Sequence, residues 1–91
     1  MRLDQFLRAS RLILRRTQAQ QLCEAGAVYV NDHPAKSARA VSPGDRLELR
    51  YRERTLTVRV LKLPRTKQTS REEASTLYEI ISETERPSMK I

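Results

Sequence analysis

The most informative segment of the sequence is Arg16-Thr17-Gln18-Ala19-Gln20-Gln21-Leu22-Cys23-Glu24-Ala25-Gly26-Ala27-Val28-Tyr29-Val30-Asn31. Ala19, Leu22 and Cys23 fall at i, i+3 and i+4, the spacing that gathers apolar side chains on one face of a helix. Gly26 follows as a residue that adopts the left-handed conformation at low cost and so ends helices. The pattern predicts a helix over about residues 16–25.

The two ends of this stretch carry further local signals. Thr17 and Gln20 form a T-x-x-Q pattern, which is typical of a capping box at a helix start. Val28 and Val30 alternate with their neighbours, and Asn31-Asp32 follows as a turn signal. We therefore expect the helix to lead directly into a tight β-hairpin, although Asp32 stands where glycine would adopt positive φ most easily.

Similar spacing predicts a short helix at the start of the chain. Leu3, Phe6 and Leu7 repeat the i, i+3, i+4 pattern, and Asp4 lies in the opening turn, where a carboxylate interacts well with the positive end of the helix dipole. We interpret Asp4 as a structural residue that supports the helix start and orients a nearby arginine. Residues 9–16 have no clean period and predict a connection between the two helices.

The second half of the chain predicts strands and one more helix. Pro43-Gly44 matches a type II turn, and residues 46–50 and 54–60 alternate apolar and polar side chains as half-buried strands do. The phase slips by one at Leu61 and Leu63, which predicts a bulge or a strand end just before Pro64. An S-x-x-E capping box at residues 70–73 leads into a third helix, whose apolar stripe consists of Ala74, Leu77, Tyr78 and Ile81.

We therefore predict an α+β fold, with two N-terminal helices packed on a small, mostly antiparallel, twisted sheet and a C-terminal amphipathic helix. Ninety-one residues fit one domain. Residues 1–62 would form its main body, and residues 63–86 a basic connector and the C-terminal helix packed on the same body. Residues 87–91 would be a frayed tail.

Charge indicates the class of partner. The net charge is +7 and the isoelectric point is near 10.3, so the domain attracts polyanions. No apolar run is long enough to span a bilayer, and no secretory signal pattern opens the chain. The single cysteine agrees with a reducing compartment. We expect a cytoplasmic monomer that does not bind a membrane.

The sequence contains no residue pattern that is typical of a catalytic site or a metal site. His33 stands alone in a turn, without the second histidine or the cysteine spacing that a metal site needs and without a nucleophile partner. Cys23 lies on the apolar stripe of the second helix, where a buried thiol is the usual interpretation. We therefore expect no enzyme activity, no metal and no cofactor.

Four segments together resemble the RNA-binding domain family named after small-subunit ribosomal protein S4. They are Arg2-Leu3-Asp4-Gln5-Phe6-Leu7, Arg16-Thr17-Gln18-Ala19, Ala25-Gly26-Ala27-Val28-Tyr29-Val30-Asn31 and Pro43-Gly44-Asp45. The resemblance covers about residues 1–62 and is greatest to short members associated with the large ribosomal subunit. These are the ribosome-quality-control factors of the RqcP type and their heat-shock-induced ribosome-binding relatives. The sequence departs from the family at Asp32, where glycine is usual, and at Arg15, where serine or threonine is usual.

The resemblance implies a role and a binding surface. It implies binding to ribosomal RNA and peptidyl-tRNA on obstructed large subunits, where the protein would support a tail-elongation factor that adds alanine to the stalled chain. The alternatives are a heat-shock-type recycling factor without tailing, a charge-driven general nucleic-acid-binding protein that would also bind duplex DNA, and a protein-interaction adaptor whose charge only aids solubility. In this family the two helices and the hairpin face RNA, which assigns binding to Arg2 and Arg16 and then to Arg8, Arg11, Arg15, Lys36 and Arg39.

The basic residues of the sheet have a different interpretation. Arg46, Arg50, Arg52, Arg54 and Arg59 interleave with Glu48 and Glu53 at the period of an ordinary solvated sheet face, which favours a structural or solubilising role. Five arginines between positions 1 and 16 face one acid, which favours RNA binding there. We expect the two helices to contribute opposite ends of one docking surface, with Arg2 and Arg16 as the residues to test first, and we expect both arginines to contribute little to stability.

Overall fold

The structure, a computed structural model, describes residues 1–66 and 69–85 of the chain. Its elements in chain order are α1 (Leu3–Ala9), α2 (Arg16–Glu24), β1 (Val28–Val30), β2 (His33–Pro34), β3 (Arg46–Arg50), β4 (Arg54–Val60), α3 (Arg71–Ser75) and β5 (Tyr78–Glu85). The expected frayed tail at 87–91 lies outside the described residues.

One antiparallel sheet carries both N-terminal helices. Its strand order is β2-β1-β3-β4-β5, and every neighbouring pair is antiparallel. The apolar stripes of the two helices and the alternating apolar positions of the strands form one core, whose fully buried members include Leu3, Phe6, Leu7, Ala19, Val28, Val30, Leu47, Leu49 and Val58. The predicted α+β class and the two-helix arrangement are confirmed.

α2 begins and ends close to the residues that the sequence predicts, but the predicted N-terminal cap is absent. Gly26 has a φ of 75°. The Ala27 N–H donates to the Leu22 carbonyl at 3.1 Å, and the Gly26 N–H donates to the Cys23 carbonyl at 3.0 Å, which is the Schellman pattern. The capping box was wrong, because Arg15 is the N-cap and no side chain caps the helix.

Both predicted turns are confirmed. Asn31 and Asp32 have φ values of 50° and 72°, as a two-residue type I′ hairpin turn requires, and Val30 lies opposite His33. At the Pro43-Gly44 turn, Gly44 has a φ of 94° and the Asp45 N–H donates to the Ser42 carbonyl at 3.1 Å. β4 ends at Val60, as expected of a strand that stops before Pro64.

The predicted C-terminal amphipathic helix was wrong. Ser70 does cap a helix, since its hydroxyl accepts the Glu73 N–H at 3.1 Å, but α3 ends at Ser75 after about one turn. The chain then becomes β5, which pairs with β4 from Tyr78 to Glu85. An unpaired β4 edge offers hydrogen bonds, and the β-branched residues Ile80, Ile81 and Thr84 favour a strand, so tertiary pairing overrides the helical spacing.

Candidate nucleic-acid interface

A buried carboxylate lies at the centre of the N-terminal face. The Asp4 side chain has no exposed surface. Arg2 donates to it from Nε (3.1 Å to Oδ1) and Nη2 (3.3 Å to Oδ2), and Arg16 donates from Nε (3.3 Å to Oδ2). Gln20 Nε2 donates at 3.1 Å, and the Gln5 N–H donates at 2.8 Å. One carboxylate therefore joins the start of α1 to the first two turns of α2.

The charge on Asp4 is favoured by these donors. Burial alone would raise the pKa of Asp4, but the hydrogen bonds from Gln20, Arg2 and Arg16 outweigh it, so the pKa lies below the usual value. The carboxylate is thus ionised at neutral pH and holds both guanidinium groups. The interpretation of Asp4 as a structural residue that orients an arginine is confirmed, and it orients two.

The segment between β2 and β3 fixes the start of α1. The Leu3 N–H donates to the Arg39 carbonyl at 2.8 Å, and the Asp4 N–H donates to the Ser37 carbonyl at 3.1 Å. These bonds satisfy two of the N–H groups that a helix start leaves free. They also place the backbone of Arg39 beside the Arg2–Asp4–Arg16 centre.

Arg2 and Arg16 converge on one carboxylate, so the surface expected to have two ends, one from each helix, has a shared centre. Both bind one carboxylate, yet their side chains remain 43% and 45% exposed. Arg16 uses only Nε for Asp4, and the outer nitrogens of its guanidinium face no partner within the described ranges. Two oriented, half-exposed cations therefore share one buried anion.

The other predicted binding residues surround this centre unevenly. Arg8 lies one helical turn beyond Asp4 and Arg15 immediately precedes α2, and both are exposed. Arg11, with a φ of 61°, instead donates from Nη2 to the Thr69 carbonyl at 3.0 Å. Lys36 pairs with Glu24 at 3.7 Å, at the far end of α2. The structure thus joins Arg2 and Arg16 through Asp4, places the backbone of Arg39 at the start of α1, and does not join Arg11 or Lys36 to them.

Ion pairing separates the helical face from the sheet. Four sheet arginines each have an acidic partner: Arg46 with Asp32, Arg50 with Glu48 at 2.6 Å, Arg54 with Glu83 at 2.8 Å and Arg59 with Glu79 at 3.5 Å. In residues 1–66 and 69–85, no acid pairs with Arg8, Arg11, Arg15 or Arg39. Arg52 of the β3–β4 hairpin also has no acidic partner in these ranges, so four of the five arginines assigned to the sheet are paired. Positive charge is therefore mostly neutralised on the strands, whereas Arg8, Arg15 and Arg39 keep theirs unpaired near the helices.

Comparison with known proteins identifies the family. Residues 1–47 match the model of the S4 domain. The RQC P-site tRNA stabilizing factor of Halalkalibacterium halodurans is 46% identical over 91% of this chain and 92% of its own length. The chain belongs to the S4 domain family of RQC P-site tRNA stabilizing factors.

Further members of this S4 domain family support the assignment. The Bacillus subtilis factor of the same name is 43% identical over 91% of this chain and 94% of its own length. Among solved structures, trimeric heat shock protein 15 of Vibrio cholerae is 30% identical with a TM-score of 0.79, covering 90% of this chain and 82% of that one. The predicted resemblance, including its heat-shock branch, is confirmed.

Gln20 is the residue of the S4 domain site that sequence reasoning missed. It was interpreted as half of a capping box, but its amide binds Asp4. The available signal was its spacing, since Gln20 lies four residues after Arg16 and therefore on the same helical face.

Metal binding, membrane insertion and thiol chemistry have no support in the part of the chain that the structure describes. No group of three acidic, histidine or cysteine side chains is arranged there to hold a metal ion, and no helix there could cross a membrane. Burial raises the pKa of Cys23 to about 11, so its thiol stays protonated and is a poor nucleophile at neutral pH.

Proposed function

We propose that this protein binds RNA of the large ribosomal subunit together with P-site tRNA and stabilises the tRNA there. The observation that carries the proposal is the pair of arginines oriented by buried Asp4, surrounded by arginines without acidic partners. The relatives' shared name, P-site tRNA stabilizing factor, supports tRNA as one ligand.

The mechanism is clamping without chemistry. Guanidinium groups form charged, two-pronged contacts with phosphates. Because Asp4 already orients Arg2 and Arg16, little side-chain freedom is lost on binding. Phosphate contacts position a protein on RNA without reading its sequence. The protein would therefore hold one ribosomal state by binding it preferentially, as a non-enzymatic factor.

More specifically, we propose that the protein binds obstructed large subunits that still carry peptidyl-tRNA. The protein would bind there as a cytoplasmic monomer, in contact with both ribosomal RNA and the tRNA. It would support a partner factor that extends the stalled chain with alanine. A reconstituted tailing reaction tests this, because omission of the protein should reduce alanine addition.

A second candidate is recycling of such subunits without tailing. The structural similarity to heat shock protein 15 favours it. If omission of the protein leaves alanine addition unchanged but alters tRNA retention on the subunit, this second candidate replaces the first.

Sedimentation with isolated large subunits, with and without peptidyl-tRNA, tests the core of the proposal. We expect stronger co-sedimentation when the tRNA is present, and weaker binding for Arg2→Ala and for Arg16→Ala. Arg46→Ala is the matched control, because Arg46 is half-exposed and paired on the sheet. An equal loss for Arg46→Ala would show that the surface has been placed on the wrong face.

Competition between ribosomal RNA and duplex DNA at near-physiological salt separates the proposal from general charge-driven binding. We expect ribosomal RNA to compete better than DNA of equal length. Equal competition would favour a general nucleic-acid-binding protein.

A further inference from the structure

A groove beside α2 is lined by none of the arginines described above. It has a volume of about 410 Å³ and is open to solvent. Its walls come from three separate segments, namely the α1–α2 connection, α2 itself and the β3–β4 hairpin. The lining residues are Ile13, Gln18, Gln21, Leu22, Ala25 and Tyr51.

The groove occupies its own face of α2. Gln18, Gln21, Leu22 and Ala25 follow the i, i+3, i+4, i+7 spacing of one helical face. Ala19 and Cys23 occupy the buried face, and Arg16 and Gln20 bind Asp4. One helix therefore contributes to the core, to the arginine centre and to this groove.

The aromatic wall of the groove is held in place from two sides. The half-buried Tyr51 donates its hydroxyl to the Leu12 carbonyl at 3.3 Å, which ties the hairpin to the α1–α2 connection. The guanidinium of Arg54 lies 4.9 Å from the Tyr51 ring centroid. Ile13, next to Leu12, is 8% exposed and is anchored by its N–H, which donates to the Leu7 carbonyl at 3.1 Å.

The rim of the groove is polar and its neighbourhood is basic. Gln18 and Gln21 are exposed, and within residues 1–66 and 69–85 their amides have no hydrogen-bond partner. Arg15 lies one turn before Gln18 and has no acidic partner in the same ranges. An amide carries both a donor and an acceptor, as do the edges of nucleobases.

We infer that this groove takes up one unpaired nucleobase of the bound RNA. The inference rests on the proposed function for the presence of RNA, and the groove adds a base contact to phosphate binding. An apolar floor and an aromatic wall suit the faces of a splayed-out base, and the two glutamines suit its edge. The unpaired charge of Arg15 suits the phosphate that such a base brings with it.

The test uses two RNA hairpins of equal length and charge. One carries a single bulged adenosine, and the other carries an abasic nucleotide at the same position. Dissociation constants are measured by fluorescence anisotropy at near-physiological salt. We expect the wild-type protein to bind the adenosine hairpin about tenfold more tightly, in line with the usual contribution of one stacked base.

Two variants locate the preference in the groove. Gln18→Ala combined with Gln21→Ala removes both amides at exposed helical positions where alanine is well tolerated. Ala25→Met fills the groove from an exposed position. Each should reduce the preference for adenosine and leave binding of the abasic hairpin unchanged. Ser75→Ala, an exposed substitution in α3, is the matched control and should keep the preference.

The results that would overturn the inference differ from those that would overturn RNA binding. If the wild type binds both hairpins equally well, the groove takes no base, whereas RNA binding stands. If both groove variants retain the preference, the base binds elsewhere. If the variants bind both hairpins normally but fail to bind large subunits, the groove receives a protein segment instead. Failure of the wild type to bind either hairpin would count against the proposed function itself.

Discussion

At the scale of single residues, Asp4 determines how the candidate site is built. A buried carboxylate is costly unless donors surround it, and here Arg2, Arg16, Gln20 and the Gln5 N–H supply them. The same contacts hold two cations in fixed positions at the surface. Stability and binding are therefore coupled through one side chain.

Arg16→Ala should lower the free energy of unfolding by about 1 kcal/mol, because it removes one charged donor from a buried carboxylate and the arginine is half-exposed. This replaces the expectation of a negligible effect that the sequence supported. Chemical denaturation measures the change. Arg46→Ala, which leaves only the exposed Asp32, should stay within about 0.5 kcal/mol of the wild type. If both variants cost the same, the Asp4 centre does not stabilise the fold.

Stability should fall on acidification through Asp4. Its pKa is lower in the folded protein than in the unfolded chain, so its contribution is fully present above the unfolded value of about 4 and is lost as the pH falls through the folded value. Thermal melting against pH checks this in the wild type and in Asp4→Asn. The difference in melting temperature between them should shrink below about pH 4, and a constant difference would contradict the assignment.

At the scale of elements, α2 connects the parts of the molecule. It begins beside Asp4, packs Ala19 and Cys23 into the core, lines the groove and ends in a Schellman motif that feeds β1. The position of its C-terminus sets where β1 enters the sheet. The length of α2 and the residue at which it ends are therefore constrained by these contacts as well as by helical propensity.

Gly26→Ala should destabilise the protein by about 1 kcal/mol. A Cβ at this position would meet nothing within 4 Å, so the cost comes from the positive φ of 75° and not from a clash. Gly26→Asn should cost less, since asparagine tolerates this conformation better. Thermal or chemical denaturation of the pair tests the claim, which fails if alanine and asparagine have equal effects.

For the molecule as a whole, the net charge of +7 is less informative than which of its charged side chains form ion pairs. Residues 41–70 carry an excess charge of +5 and residues 1–40 an excess of +4, so charge counts alone do not select a face. β5 brings Glu79 and Glu83 alongside Arg59 and Arg54, and those two sheet arginines are thereby neutralised. The edge strand therefore lowers the unpaired positive charge on β4.

Binding to large subunits should depend strongly on salt, and the dependence should report which arginines contact phosphate. Each lost phosphate contact reduces the slope of log K against log salt by about 0.7 to 0.9. Arg8→Ala and Arg15→Ala should each reduce the slope, whereas Arg59→Ala should leave it unchanged. A titration of subunit binding against potassium chloride measures the slopes. A reduction for Arg59→Ala would place RNA on the sheet.

Features that depend on a few neighbouring residues could be predicted from the amino-acid sequence. The apolar spacing of α1 and α2, the stop at Gly26, the Asn31-Asp32 hairpin and the Pro43-Gly44 turn all follow from helix periodicity and turn chemistry. The S4 domain family was also evident there, because its residues combine in one order along the chain. The helix and turn signals act over at most one or two helical turns, whereas the family pattern combines four such local segments.

Contacts between segments that are distant in sequence became known from the folded structure. The segment predicted to form the C-terminal helix forms β5 instead, because pairing with the free edge of β4 outweighs the local helical spacing. β4 lies too far away in sequence for that local spacing to indicate the pairing. The folded structure also brings Arg2, Arg16 and Gln20 onto Asp4, and Ile13 and Tyr51 onto one groove. Contacts of this kind depend on which surfaces remain unpaired after the core forms, which is a property of the whole fold.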